Sequence, residues 1–172
     1  LLCLHGGPGS DHELFEEFGE SLADQNIAVY MYDQLGSWYS DTPDFSDSTT
    51  REKFFNLDYY VDEIEEVRQL LGLNNFFVLG HSWGGMIGQE YALKYGNVPG
   101  FKGLIISDMT DDIASYEKNI NRLRQERLGD EEVAFMKSVE NGNGDYQSER
   151  YRQDVTKLNY SFIIRHPDHS SK

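Results

Sequence analysis

The chain has 172 residues, in which 30 acidic side chains face 15 basic ones, for a formal net charge of −15 and a calculated pI near 4.6. So acidic a surface repels phosphate backbones and anionic headgroups, which argues against nucleic acid and membrane surfaces as partners. The single cysteine, Cys3, rules out an internal disulfide, and no apolar stretch approaches the length of a membrane-spanning helix. The cytoplasm is the expected location.

Leu1 to Leu4 has the composition of the end of a buried strand, with Cys3 as a small core side chain. It runs into His5-Gly6-Gly7-Pro8-Gly9. Beyond that loop Leu14, Phe15, Phe18 and Leu22 recur at helical spacing, behind a cap from Ser10 or Asp11. Three glycines in five residues let backbone N–H groups face a ligand without side chains in the way, which oxyanion stabilisation requires; the bland alternative is a tight strand-to-helix turn. His5 is expected to anchor this loop by hydrogen bonding rather than to act as a base. Ile27 to Tyr32 predicts a second buried strand, with Asp33 at its end as a turn-former bonding nearby N–H groups. Residues 40–50, rich in Ser, Thr and Asp and containing Pro43, read as loop. Asp58 opens a helix whose apolar face carries Val61, Ile64, Val67 and Leu71, with Asp62, Glu63, Glu65 and Glu66 expected on its solvated side.

Phe76 to Leu79 is strand-like, and the residues from Gly84 onward are helical as far as Gly96. Gly80-His81-Ser82-Trp83-Gly84 therefore falls where strand turns into helix, the setting of a nucleophile elbow. A five-residue pattern alone could be an ordinary glycine-rich turn; the flanking elements and the upstream glycine loop favour chemistry at Ser82. Phe101 to Ser107 is a further strand. The alternation of strand and helix predicts an α/β fold with a parallel sheet and helices on both faces. After Asp108 the pattern becomes helical. Ile113, Tyr116, Ile120 and Leu123 mark one helix and Val133, Met136 and Val139 a second. Tyr151, Val155, Leu158 and Phe162 mark a third, beyond a flexible break at residues 141–144. A helical segment following a sheet strand is most simply a lid.

His5-Gly6-Gly7-Pro8-Gly9, Asp33-Gln34-Leu35-Gly36-Ser37 and Gly80-His81-Ser82-Trp83-Gly84-Gly85, in that order, resemble the proline iminopeptidase family of α/β-hydrolases, which includes tricorn-interacting aminopeptidases and amino-acid amidases. The resemblance covers residues 1–110 well and the helical tail more loosely. It implies an α/β-hydrolase core over residues 1–110 and a helical cap over 111–172, both partial. It also implies Ser82 as nucleophile and the backbone N–H groups of Gly7 and Trp83 as oxyanion hole, supported by His5, Gly6, Pro8 and Gly9. The substrate would be a small peptide or amino-acid amide, with no metal or organic cofactor. Trp38 stands where the family's loop commonly ends in glycine, a departure at the edge of the pocket.

A serine needs a base, and the base an orienting carboxylate. In this fold they follow the serine in the order Asp then His, each after a later strand, and no such strand is visible after residue 110. His12 opens a helix and His81 sits beside Ser82 with its side chain directed elsewhere, so neither is expected to serve. His166 or His169, backed by Asp168 or Asp154, is the remaining possibility within the sequence. The main expectation is that the triad acid and base belong to sequence not present, because 172 residues is short for a fold that needs roughly 200 or more. Two rival readings are an amidase or esterase of the same fold and a catalytically inactive binding domain. An aspartate nucleophile, as in dehalogenases and epoxide hydrolases, is disfavoured by the serine at 82.

Overall fold

Four short apolar segments form strands: β1 over Leu2–Leu4, β2 over Tyr30–Met31, β3 over Phe76–His81 and β4 over Phe101–Ser107. They make one wholly parallel sheet in the order β2-β1-β3-β4. The computed structural model describes residues 1–163, and the chain divides into two units, the first ending at Asp111 and the second starting at Asp112.

In the first unit the period-two alternation of a strand sorts side chains between the faces. Leu2, Leu4, Phe76 and Val78 face one side, where they pack with Tyr60, Val61 and Ile64 of α3 (Leu57–Leu70) and Ile87 and Tyr91 of α4 (Trp83–Tyr95). Cys3 and Leu79 face the other, against Phe15, which leads into α1 (Glu16–Ala23). Helices thus cover both faces, as the sequence predicts, but unequally: Phe77 and Ile105 remain about half exposed. Burial pushes the Cys3 thiol up to about 11, consistent with a small core side chain.

Several expectations need correction. The second strand is shorter than Ile27 to Tyr32, because β1 offers register partners only to Tyr30 and Met31, and Ile27 is exposed. Of the predicted stripe, Phe15 is buried while Leu14 and Phe18 are exposed, since only Phe15 reaches the Cys3–Leu79 cluster. The cap is Asp11, which accepts from the Glu13 N–H. Residues 40–50 are not all loop: Asp47 accepts from the Thr50 N–H and starts α2 over Ser48–Phe54. The third helix begins at Leu57, capped by Asn56.

The largest correction concerns the acidic residues of α3, which are not simply solvated. Glu65 is 7 % exposed. It accepts from Arg68 (2.7 and 2.9 Å), from Gln69 and from the Tyr91 hydroxyl of α4 (2.9 Å). Arg68 then donates to the Leu73 carbonyl. Asp62 accepts from Lys94 and Tyr95. These bonds tie α3 to α4, the helix that follows Ser82.

The second unit holds α5 (Ile113–Leu128), α6 (Asp130–Ser138) and α7 (Glu149–Leu158). Val133, Met136, Val139 and Leu158 are buried, and Arg124 holds Glu140 through paired bonds of 2.8 and 2.9 Å. The chain turns at residues 139–143, where Gly142 takes a positive φ of 84° that only glycine adopts freely.

Candidate active site

Ser82 sits between the end of β3 and the start of α4 with φ 53° and ψ −119°, a conformation costly for any residue carrying a Cβ. Three backbone bonds hold it there. Its N–H donates to the Ser107 carbonyl of β4 (2.9 Å), and its own carbonyl accepts from the Gly85 and Met86 N–H groups. The hydroxyl makes no capping bond to α4, so it is not consumed by its own helix.

The turn requires glycine on both sides. A Cβ on Gly84 would lie 2.1 Å from the Leu4 carbonyl oxygen, and one on Gly80 would lie 2.2 Å from the Gly84 oxygen. The N-terminus of α4 can therefore lie directly on β1 and the loop that follows it. That loop reaches the serine: a Cβ on Gly6 would lie 3.1 Å from the Ser82 Cβ. His5 and Gly6 are buried, whereas Gly7, Pro8 and Gly9 are exposed, with Gly7 at φ 114°. Trp83 is the first residue of α4, where helix geometry provides no intrahelical acceptor for its N–H.

A side-chain network fixes these parts to each other. The Gln34 N–H donates to His5 Nε2 (2.9 Å), so Nε2 is unprotonated and Nδ1 carries the proton, which it donates to the Gly6 carbonyl (2.9 Å). Burial holds the imidazole below its ordinary range, against the Gly6 carbonyl that raises it. His5 is thus a neutral anchor, as expected. Gln34, only 1 % exposed, donates from Nε2 to the His5 carbonyl and accepts at Oε1 from the Trp83 indole N–H, both at 2.9 Å. One amide joins the glycine loop, the end of β2 and the elbow.

The other titratable groups fall into separate pairs. Asp33 is the turn-former expected, accepting from the His12 and Tyr39 N–H groups, and it also bonds His12 Nδ1 at 2.9 Å. Burial alone would raise Asp33, but the His12 bonds outweigh it and hold the carboxyl below its usual range, while Asp33 raises His12. His81 lies with Nε2 3.5 Å from Asp108, at the end of β4. Asp154 lies in the second unit on α7, buried, its carboxyl raised by burial and by Glu132. His166, Asp168 and His169 lie outside the described residues. No cluster of metal-ligating side chains is present among the described residues.

Sequence reasoning missed the roles of Gln34 and Glu63. Gln34 was visible only as part of a motif, and nothing in its spacing marks it as buried. Glu63 follows the acidic pattern of a solvated helix face, yet its Oε1 accepts from the Leu35 N–H at 3.0 Å.

Comparison with known proteins places this geometry. Residues 1–135 match the alpha/beta hydrolase fold family. The chain is 40 % identical over 155 residues to a proline iminopeptidase of Elizabethkingia meningoseptica, covering 89 % of the chain and 49 % of that protein. It is 36 % identical over 170 residues to a proline iminopeptidase of Chitinophaga pinensis, covering 97 % and 54 %. The chain thus spans about half the length of these relatives. Among solved structures it resembles VinJ, at 25 % identity and a TM-score of 0.82, over 98 % of this chain and 54 % of that one. It also resembles the proline iminopeptidase of Mycobacterium smegmatis, at 27 % identity and a TM-score of 0.72, over 96 % and 53 %.

Proposed function

The chain belongs to the alpha/beta hydrolase fold family, and from that premise we propose that it carries the nucleophile of a serine hydrolase, an aminopeptidase releasing an N-terminal proline or another small residue. The observation carrying this reading is the conformation of Ser82: a serine at positive φ on a strand-to-helix turn, its hydroxyl unused by the helix, with a glycine loop packed on it. The similarity to proline iminopeptidases supports the substrate class.

In this reading Ser82 Oγ attacks the carbonyl carbon of the substrate's N-terminal residue. Its proton passes to a general base and then to the departing amine. The negative oxygen of the tetrahedral intermediate is held by the N–H groups of Gly7 and Trp83, and loss of one such donor typically lowers turnover about 10²–10³-fold. Expulsion of the amine leaves an acyl-enzyme, which water hydrolyses. Gln34 and His5 are bonded to the glycine loop and to the Trp83 indole, and in this reading they hold the two donors in register. The base and its carboxylate correspond to the half of the relatives that the chain does not span, and the helices of the second unit form part of a lid.

The test is hydrolysis of proline p-nitroanilide by the intact open reading frame, wild type and Ser82→Ala, beside fluorophosphonate labelling of the same two proteins. Loss of turnover in Ser82→Ala supports the reading, and unchanged turnover overturns it. Faster hydrolysis of amino-acid amides or acyl esters than of the prolyl substrate would replace the aminopeptidase with an amidase or esterase.

A further inference from the structure

Outside the catalytic machinery, the most unusual polar group of the first unit is Glu63, on α3. One carboxylate oxygen accepts from the Leu35 N–H at 3.0 Å, while the other, Oε2, is buried with no hydrogen-bond partner. The adjacent Tyr32 hydroxyl is likewise buried, and the group it bears on is this carboxyl, whose charged form it favours. Among the described residues no cation faces the carboxylate. The titratable groups around it are Tyr32 at the end of β2, Tyr59 and Tyr60 on α3, and Glu66 one turn position away. A buried carboxylate with one N–H partner and a like charge nearby is held in its costly form.

Leu35 is the next residue after Gln34. The two-residue segment is therefore clamped from both sides: Glu63 and the Tyr60 hydroxyl hold the Leu35 N–H and carbonyl, and His5 and Trp83 hold Gln34. We propose that Glu63 is a positioning residue for the Ser82 site, a proton-operated latch on the Gln34–Leu35 segment that is closed when the carboxyl is neutral. This rests on the reading of Ser82 as nucleophile.

Protonated at Oε2, the carboxyl carries no charge in its buried setting and still accepts the Leu35 N–H at Oε1. Deprotonated, it leaves a buried charge that is relieved by drawing away toward water. Leu35 and Gln34 move with it, and the Trp83 indole and His5 loosen. Burial, opposed by the Leu35 N–H, raises this carboxyl to about 7, so the latch works near neutral pH.

The Trp83 indole N–H reports the latch directly, because its acceptor is Gln34. In ¹⁵N-labelled protein its resonance, distinguished from that of Trp38 by Trp38→Phe, is expected to move as one titration with a midpoint near 7. Glu63→Gln keeps an acceptor for Leu35 without a titrating proton, and the resonance then stays at its low-pH position. Tyr32→Phe removes a hydroxyl that favours the charged form, and the midpoint rises. A flat wild-type resonance, a titration surviving in Glu63→Gln, or a midpoint unmoved by Tyr32→Phe each overturns the proposal. Fluorophosphonate labelling of the intact open reading frame reads Ser82 separately: a flat resonance with labelling intact refutes the latch alone, and a titrating resonance on an unreactive serine refutes the site alone.

Discussion

Replacing Ser82 by glycine should make the protein more stable while abolishing its proposed chemistry. The backbone at this position, φ 53° and ψ −119°, is one that a residue with a Cβ occupies at a cost of about 1–3 kcal/mol. Glycine escapes that cost but loses about 0.5–1 kcal/mol more conformational freedom on folding. The net gain is about 0–2.5 kcal/mol, centred near 1, and about 2–4 °C per kcal/mol in a chain of this size. Alanine is the control: it removes the hydroxyl but keeps the Cβ and the strain, so Ser82→Ala should stay within about 0.5 kcal/mol of wild type. Both tryptophans, Trp38 and Trp83, lie in the first unit, so urea unfolding followed by their fluorescence reports the unit that holds the elbow. If Ser82→Gly unfolds at the same urea concentration as Ser82→Ala, or a lower one, position 82 stores no strain and the reading of the turn is wrong.

Three further outcomes follow from the same geometry. Gly84→Ala would drive a Cβ to 2.1 Å from the Leu4 carbonyl, forcing α4 off the sheet; a loss of at least about 3 kcal/mol in urea unfolding is expected. Gln34→Ala leaves the Trp83 indole N–H and the His5 carbonyl without partners and should cost about 1–3 kcal/mol, with the Trp83 resonance displaced. The pH dependence of stability carries the sign of Glu63. Because burial raises its carboxyl from 4.5 to about 7, the native state binds more protons than the unfolded state between those values. This contribution is complete below the lower value and lost as pH rises through the upper one, so Glu63→Gln should flatten that slope; a slope unchanged in the variant would assign it to another group.

Local chemistry made much of this protein legible in one dimension. Short apolar runs must become strands, and glycines around Ser82 and in residues 5–9 permit backbone paths that other residues resist, so the strand order along the chain, the strand-to-helix turn at Ser82 and the glycine loop packed on it could all be read as sequence. Asp33 as a turn-former and His5 as an anchor followed from the same local reasoning. Tertiary structure alone decided which polar residues turn inward. Glu63 and Glu65 share the acidic spacing of a solvated face, yet α3 packs against α4 and the end of β2, which encloses Glu65 with Arg68 and Tyr91 and aims Glu63 at Leu35. The joining of His5 to Gln34 spans 29 positions and that of Gln34 to Trp83 spans 49, separations that no local periodicity encodes. The length of the second strand was also settled by its neighbour, because a strand extends only as far as β1 offers partners.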